Sequence, residues 1–184
     1  MKYIFDFDDV LFHNTQLFKP HMYKCLEEAG VPRDVAEPYY KEVRSMFSIK
    51  NFVSRLITNE KLIDIDGEKL CEKIMSKNKD FINTELIEKI KKLGKENCYI
   101  VTHGLEDYQL DKINSIGIFP FFNKVIMVQG NKKEEIEKIC SQYKNETVVF
   151  IDDKAKHFEN LDFKKYPNLK TILYTGQVLN FKNL

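Results

Sequence analysis

The sequence carries no excess of charge of either sign, no long apolar run, no paired cysteines and no internal repeat. Its 29 lysines and arginines are scattered among 28 aspartates and glutamates, for a formal net charge of +1, so no global field draws the chain to nucleic acid. The longest apolar runs are far too short to cross a membrane. The first residues go straight into a strand pattern without the apolar core of a signal peptide, and the expectation is a cytoplasmic location. Cys25, Cys71, Cys98 and Cys140 stand far apart and form no CxxC pair, which argues against a disulfide framework. All four read as small core hydrophobes in a reducing compartment.

What is present is an ordinary globular composition, 43% hydrophobic and 31% charged over 184 residues, enough for one domain or a core with a smaller inserted subdomain. The informative stretch lies at the N-terminus. Tyr3, Ile4 and Phe5 form a short apolar run that reads as a buried strand, and Asp6, Asp8 and Asp9 follow it. Were the strand to continue to Asp8, Asp6 and Asp8 would share a face and repel each other. A hard divalent cation such as magnesium, which prefers oxygen ligands, would remove that penalty. Val10, Leu11 and Phe12 close the cluster on its other side, which is unlike a solvated loop.

After Thr15 the apolar spacing turns helical and stays so for roughly seventy residues. Phe18, Met22, Leu26 and Ala29 mark a first helix that Gly30 and Pro32 stop, and further stripes run through Tyr39 and Val43, Phe52 and Leu56, and Leu70 and Ile74. From about Asn83 the rhythm changes. Helical stripes then alternate with short runs apolar on both faces: Cys98–Val101, Lys124–Val128, Thr147–Ile151 and Leu169–Tyr174. This pattern predicts an α/β fold, a Rossmann-like three-layer sandwich with a five-stranded, mainly parallel sheet and an inserted all-helical cap. The core is expected at 1–14 and 82–184 and the cap at 15–81. Ligands in such folds sit beyond the carboxyl ends of the strands, where Asp6, Asp8, Thr102, Asp152 and Asp153 fall.

Taken together, Asp6-Phe-Asp-Asp-Val, Thr102, a lysine at 132 or 133, and Asp152-Asp153 resemble the four ordered motifs of the haloacid dehalogenase-like superfamily. The segment from Val101 to Gly117, with Gln109 and Lys112, is similar to its second motif and following helix, and the resemblance spans the whole chain. It implies a phosphatase in which Asp6 attacks phosphorus, Asp8 serves as general acid and then base, and Thr102 binds phosphoryl oxygens. His103 and Gly104 would join Thr102 at the substrate, and Lys132 or Lys133 would neutralise the nucleophile and phosphate. The two lysines differ by a helical step of about 100°, which periodicity leaves open; Ile136 and Ile139 on the core-facing turns favour Lys132. Asp6, Asp8, Asp152 and Asp153 would hold Mg²⁺.

Two departures stand out. Many members have glycine where this chain has Asp9, and a further acid often follows the fourth motif where this chain has His157, Phe158 and Glu159. His13, His21, His103 and His157 make a poor metal set beside so many carboxylates, and His103 either lines the pocket or faces solvent. The reading is magnesium-dependent hydrolysis of a small phosphorylated metabolite, a sugar phosphate or nucleotide, with no nucleic-acid or membrane partner, by a monomer or homodimer. The rivals are a phosphomutase on the same scaffold and a non-catalytic phosphate-binding module. A dehalogenase fits less well, because Asp8 supplies an acid/base that such enzymes of the superfamily lack.

Overall fold

Five strands, β1 (Lys2–Phe5), β2 (Cys98–His103), β3 (Lys124–Val128), β4 (Val148–Asp152) and β5 (Leu169–Leu173), form one sheet in the order β3-β2-β1-β4-β5. The structure, a computed structural model, describes residues 1–181. Every strand pairing is parallel, where the sequence pattern predicts a mainly parallel sheet. The inner strands β1 and β4 are buried along their whole length, which is why their sequences are apolar on both faces. On one face Ile4, in register with Tyr99 and Phe150, packs with Ile136, Ile139 and Cys140 of helix α7 (Lys133–Gln142). On the other, Phe5 aligns with Ile100 and Ile151 and meets Phe122 edge-on at 6.2 Å. Helix α5 (Thr84–Leu93) covers this second face, with the Cys98 thiol 4.0 Å from the Ile90 carbonyl. Removing a side chain such as Phe5 or Phe150 from water contributes about 2–3 kcal/mol each.

The strand order places the site. The chain steps outward from β1 to β2 to β3, then returns to lay β4 on the opposite side of β1. The crevice between the carboxyl ends of β1 and β4 is therefore the topological switch point, where open parallel sheets bind ligands. Asp6 follows β1, while Asp152 ends β4 and Asp153 follows it.

The chain divides into two compact units. One comprises Met1–His13, Asn83–His103 and the chain from Gly117 on; the other comprises Asn14–Ile82 and Gly104–Ile116. The second unit is helical: α1 (Lys19–Glu28), α2 (Arg33–Val43), α3 (Ile49–Asn59), α4 (Gly67–Met75) and α6 (Glu106–Ile116). Among the described residues, no strand of the sheet comes from it. Most of its buried stripes are those of the sequence pattern, but Ala29 and Tyr39 are only half-buried and α2 buries Ala36 with Val43; Asp66 caps α4 by accepting the Lys69 N–H at 3.1 Å. Aromatic side chains join its helices, Phe47 lying 5.2 Å from Tyr40, 5.7 Å from Phe52 and 5.4 Å from Tyr108 of α6. The Asn78 amide donates to the Ser115 hydroxyl at 2.9 Å. Helix α6, which the chain pattern attaches to β2, thus shares its contacts with the helical unit. No helix among the described residues is long and apolar enough to cross a membrane.

Candidate active site

The strand β1 ends at Phe5, so Asp8 is placed by a turn rather than by strand alternation. Asp6 keeps the β4 ladder going, its N–H donating to the Ile151 carbonyl at 2.9 Å. The chain then folds back: the N–H groups of Leu11 and Phe12 both donate to the Phe7 carbonyl, at 2.9 and 3.0 Å, and that of Asp9 to the Phe12 carbonyl at 2.7 Å. Phe7 and Phe12 stack at 5.4 Å and, like Val10 and Leu11, are wholly buried. This apolar base anchors the turn and leaves Asp8 and Asp9 half-buried above it. Asp9 sits at φ +61°, in the left-handed region that glycine adopts freely and that aspartate tolerates better than most residues.

Lys132 lies just before α7 with its side chain 1% exposed, and its ammonium bridges two carboxylates: Asp6 Oδ1 at 2.8 Å and Asp152 Oδ2 at 2.7 Å. Asp6 Oδ1 also accepts the Phe7 N–H at 2.7 Å. Lys133, the alternative that the sequence leaves open beside the favoured Lys132, is excluded from this cluster. Its side chain is 38% exposed and its nearest acid is Glu137, one helical turn on, at 3.7 Å. The step of one residue swings Lys133 away from the sheet into solvent.

The fourth motif divides its two aspartates. Asp152 has both oxygens engaged: Oδ1 accepts the Lys154 N–H at 2.8 Å, and Oδ2 accepts from Lys132 and from His157 Nδ1, the latter at 2.8 Å. Burial alone would raise its pKa; the His157 hydrogen bond and the Lys132 ammonium outweigh it and hold the group at about 2. Asp153 is the opposite case. Burial, against the pull of Lys154 and with the help of Asp6, Asp152 and Asp9, pushes it up to about 6. Its buried Oδ1 has no hydrogen-bond partner among the described residues, with the Lys154 ammonium at 3.5 Å. Lys154 itself is held above its ordinary pKa: burial opposes this, but Asp153, Asp6, Asp152 and Asp8 prevail.

These observations test whether a metal fits. Asp6, Asp152 and His157 bring ligand atoms within 4.8 Å of one another, as a metal site does. The cation between Asp6 and Asp152, however, is the Lys132 ammonium, and the His157 nitrogen is spent on Asp152. Oxygens of the kind a hard divalent ion prefers remain on the neighbouring carboxylates, Asp153 above all. There, five carboxylates (6, 8, 9, 152 and 153) face two lysines, and the orphaned Asp153 oxygen lacks a donor. The donor set fits magnesium.

Thr102 is 1% exposed near the end of β2, in register with Met127. His103 turns toward β3, its Nε2 donating to the Gln129 carbonyl at 3.0 Å. Gly104 stands at φ +148°, a backbone conformation that favours glycine, and a Cβ there would press on the Gln109 side chain at 2.9 Å. Residues that the motifs do not single out also shape the site. Lys154 and His157 touch Asp153 and Asp152, and buried Asn83 ties the turn down. The Asn83 amide donates to the Val10 carbonyl at 3.0 Å and the Tyr174 hydroxyl at 2.8 Å, while its oxygen caps α5 through the Leu86 N–H at 3.2 Å. A polar residue before an apolar helical run marks Asn83 as a cap; only the fold shows its other two bonds.

No protein-family model matches the chain, and no curated protein sequence matches it. Solved structures do. A candidate haloacid dehalogenase-like hydrolase from Burkholderia xenovorans is 16% identical, with a TM-score of 0.69 over 92% of this chain and 79% of that one. A candidate beta-phosphoglucomutase from Thermotoga maritima is 15% identical, with a TM-score of 0.56 over 97% and 88%. A candidate HAD-type hydrolase from Bacillus subtilis, solved bound to magnesium, is 19% identical, with a TM-score of 0.52 over 92% and 84%. The fold is that of the haloacid dehalogenase-like hydrolases.

Proposed function

We propose that this chain is a magnesium-dependent phosphatase that hydrolyses a small phosphorylated metabolite through an aspartyl-phosphate. The observation that carries the reading is the buried Lys132 ammonium held between Asp6 and Asp152. With Oδ1 of Asp6 fixed by Lys132 and the Phe7 N–H, Oδ2 is the oxygen that attacks phosphorus. Asp8, half-buried on the turn, protonates the leaving oxygen and then takes a proton from the water that releases phosphate. Lys132 balances the charge that Asp6 carries before attack and the phosphoryl group carries after it, and Thr102 donates to a phosphoryl oxygen. Asp6, Asp153 and the Asp8 backbone carbonyl would hold Mg²⁺, which supplies charge neutralisation of the phosphoryl oxygens. The helical unit supplies substrate selection. The magnesium-bound relative from Bacillus subtilis supports the choice of ion.

The test separates the two chemical steps. With a nitrophenyl phosphate the leaving group hardly needs an acid, whereas hydrolysis of the intermediate still needs a base. Asp8→Asn should therefore slow turnover on the order of 10²–10⁴-fold and accumulate a phosphate-sized mass increase on acid-quenched protein. Asp6→Asn should show no such adduct. Turnover at full rate after exhaustive chelation, or an adduct on the Asp6 variant, would sink the mechanism. The likeness to a candidate phosphoglucomutase keeps a phosphomutase as the second reading; transfer of the label to a sugar-phosphate hydroxyl in place of water would select it.

A further inference from the structure

We infer that His157 is the positioning residue that fixes the Lys132 ammonium on the nucleophile, by clamping the Asp152 carboxylate to which that ammonium is tethered. The inference rests on the roles of Asp6 and Lys132 proposed above. Lys132 reaches Asp6 on a long, flexible stem, and one contact to Asp6 would not set its position. The second contact, Asp152 Oδ2 at 2.7 Å, does so only if the carboxylate plane is itself held. A carboxylate turns easily about its last bond, which has broad, roughly two-fold preferences. Two donors stop that rotation. The Lys154 N–H holds Oδ1 at 2.8 Å, and His157 Nδ1 holds Oδ2 at 2.8 Å, on the same oxygen that Lys132 uses.

The imidazole is itself held in place. His157 closes a short turn in which its N–H donates to the Lys154 carbonyl at 3.0 Å and the Phe158 N–H to the Ala155 carbonyl at 2.9 Å. Phe158 packs edge-on against Phe150 of β4 at 5.4 Å, so the turn is pinned to the strand that carries Asp152. The His157 side chain is only 20% exposed. An Nδ1–H donates both in the neutral tautomer and in the imidazolium, so the clamp does not depend on the histidine's charge. Nothing in the arrangement puts His157 against substrate; it acts through Asp152 and Lys132.

The test compares His157→Ala, His157→Asn and His157→Gln. An asparagine amide nitrogen falls near the place of Nδ1, whereas a glutamine amide falls near Nε2. Loss of such an outer partner costs about 10–100-fold in activity. His157→Ala and His157→Gln should lower kcat toward a nitrophenyl phosphate by about tenfold or more with KM within about twofold, and His157→Asn should recover most of it. A second readout needs no turnover. In protein labelled with ¹⁵N-lysine, the Lys132 ammonium signal, assigned with Lys132→Arg, should be shielded from exchange in the wild type. It should broaden or shift in His157→Ala and His157→Gln, and return in His157→Asn. If the alanine variant does not fold, asparagine against glutamine carries the comparison. Wild-type kcat in His157→Gln with an unmoved Lys132 signal overturns the inference, as does a rise in KM alone. A wild type with no phosphatase activity but with the Lys132 signal responding as stated overturns the proposed function and leaves the clamp standing.

Discussion

In the helical unit, Lys24 and Glu28, Arg33 and Glu37, and Lys41 and Glu37 pair along exposed helix faces at 3.9, 3.9 and 3.6 Å. In the sheet unit, Lys132, Asp6 and Asp152 meet at 2.7–2.8 Å with side chains 1, 4 and 0% exposed. Exposed pairs gain little, because water and salt screen them and two long side chains must be ordered. A buried triad cannot lose a member without leaving an uncompensated charge, and such a triad is costly to build at all. Stability alone would replace it with apolar residues. Its presence at the switch point of the sheet, beside an acid with an unsatisfied oxygen, is what marks the unit to which the proposed chemistry is assigned.

The comparison breaks most visibly at Lys132. Replacing it by methionine should cost about 3–5 kcal/mol, read from urea denaturation, and abolish turnover. The neighbouring Lys133→Ala should leave activity within about twofold of wild type, because that side chain reaches only Glu137. Equal losses in the two variants would contradict the placement of the lysines.

Asp153 gives the next effect, and its sign follows from the shift. Its pKa in the folded chain is about 6, against 3.8 for an ordinary aspartate, so folding favours the protonated form. Its contribution to stability is present below the unfolded value and is lost as pH rises through about 6. In chelator, Asp153→Asn should therefore gain on the wild type as pH rises from about 4 to about 7, by up to about 3 kcal/mol at full ionisation. Added magnesium should reverse the order at pH 7 by stabilising the wild type alone. A stability gap between the two proteins that does not change with pH would remove the electrostatic strain argued for this site.

Smaller effects test the frame around the site. Asn83→Ala forfeits the α5 cap and two buried hydrogen bonds, to Val10 and Tyr174, and should cost about 2 kcal/mol by denaturation. Asp9→Val, which forces a β-branched side chain to φ +61°, should cost about 1–2 kcal/mol, whereas Asp9→Gly should be close to neutral. A valine variant as stable as the wild type would show that the turn has relaxed out of the left-handed region.

Much of this frame was legible in the residues. Apolar runs of four or five residues between helical stripes have one good solution, a parallel sheet covered on both faces, and the aspartates after two of those runs could lie only at its carboxyl edge. The absence of strand signals between Thr15 and Phe81 likewise matches the helices found there. Less legible was Asp8, which strand alternation places on the face of Asp6 but which a turn anchored by Phe7 and Phe12 positions instead. The contacts of α6 with Phe47 and Asn78 join segments that lie tens of residues apart, which no local pattern reports.

The sequence by itself determined the order of the strands along the chain, the helical character of the long insertion and the residue types gathered at the strand ends, because period and composition are local properties. Tertiary structure decided between Lys132 and Lys133, divided Asp152 from Asp153, and gave His157 and Asn83 their partners. Those distinctions depend on which side chain is buried against which charge. Burial and distance in three dimensions govern hydrogen bonding and pKa, and neither is encoded in spacing along the chain.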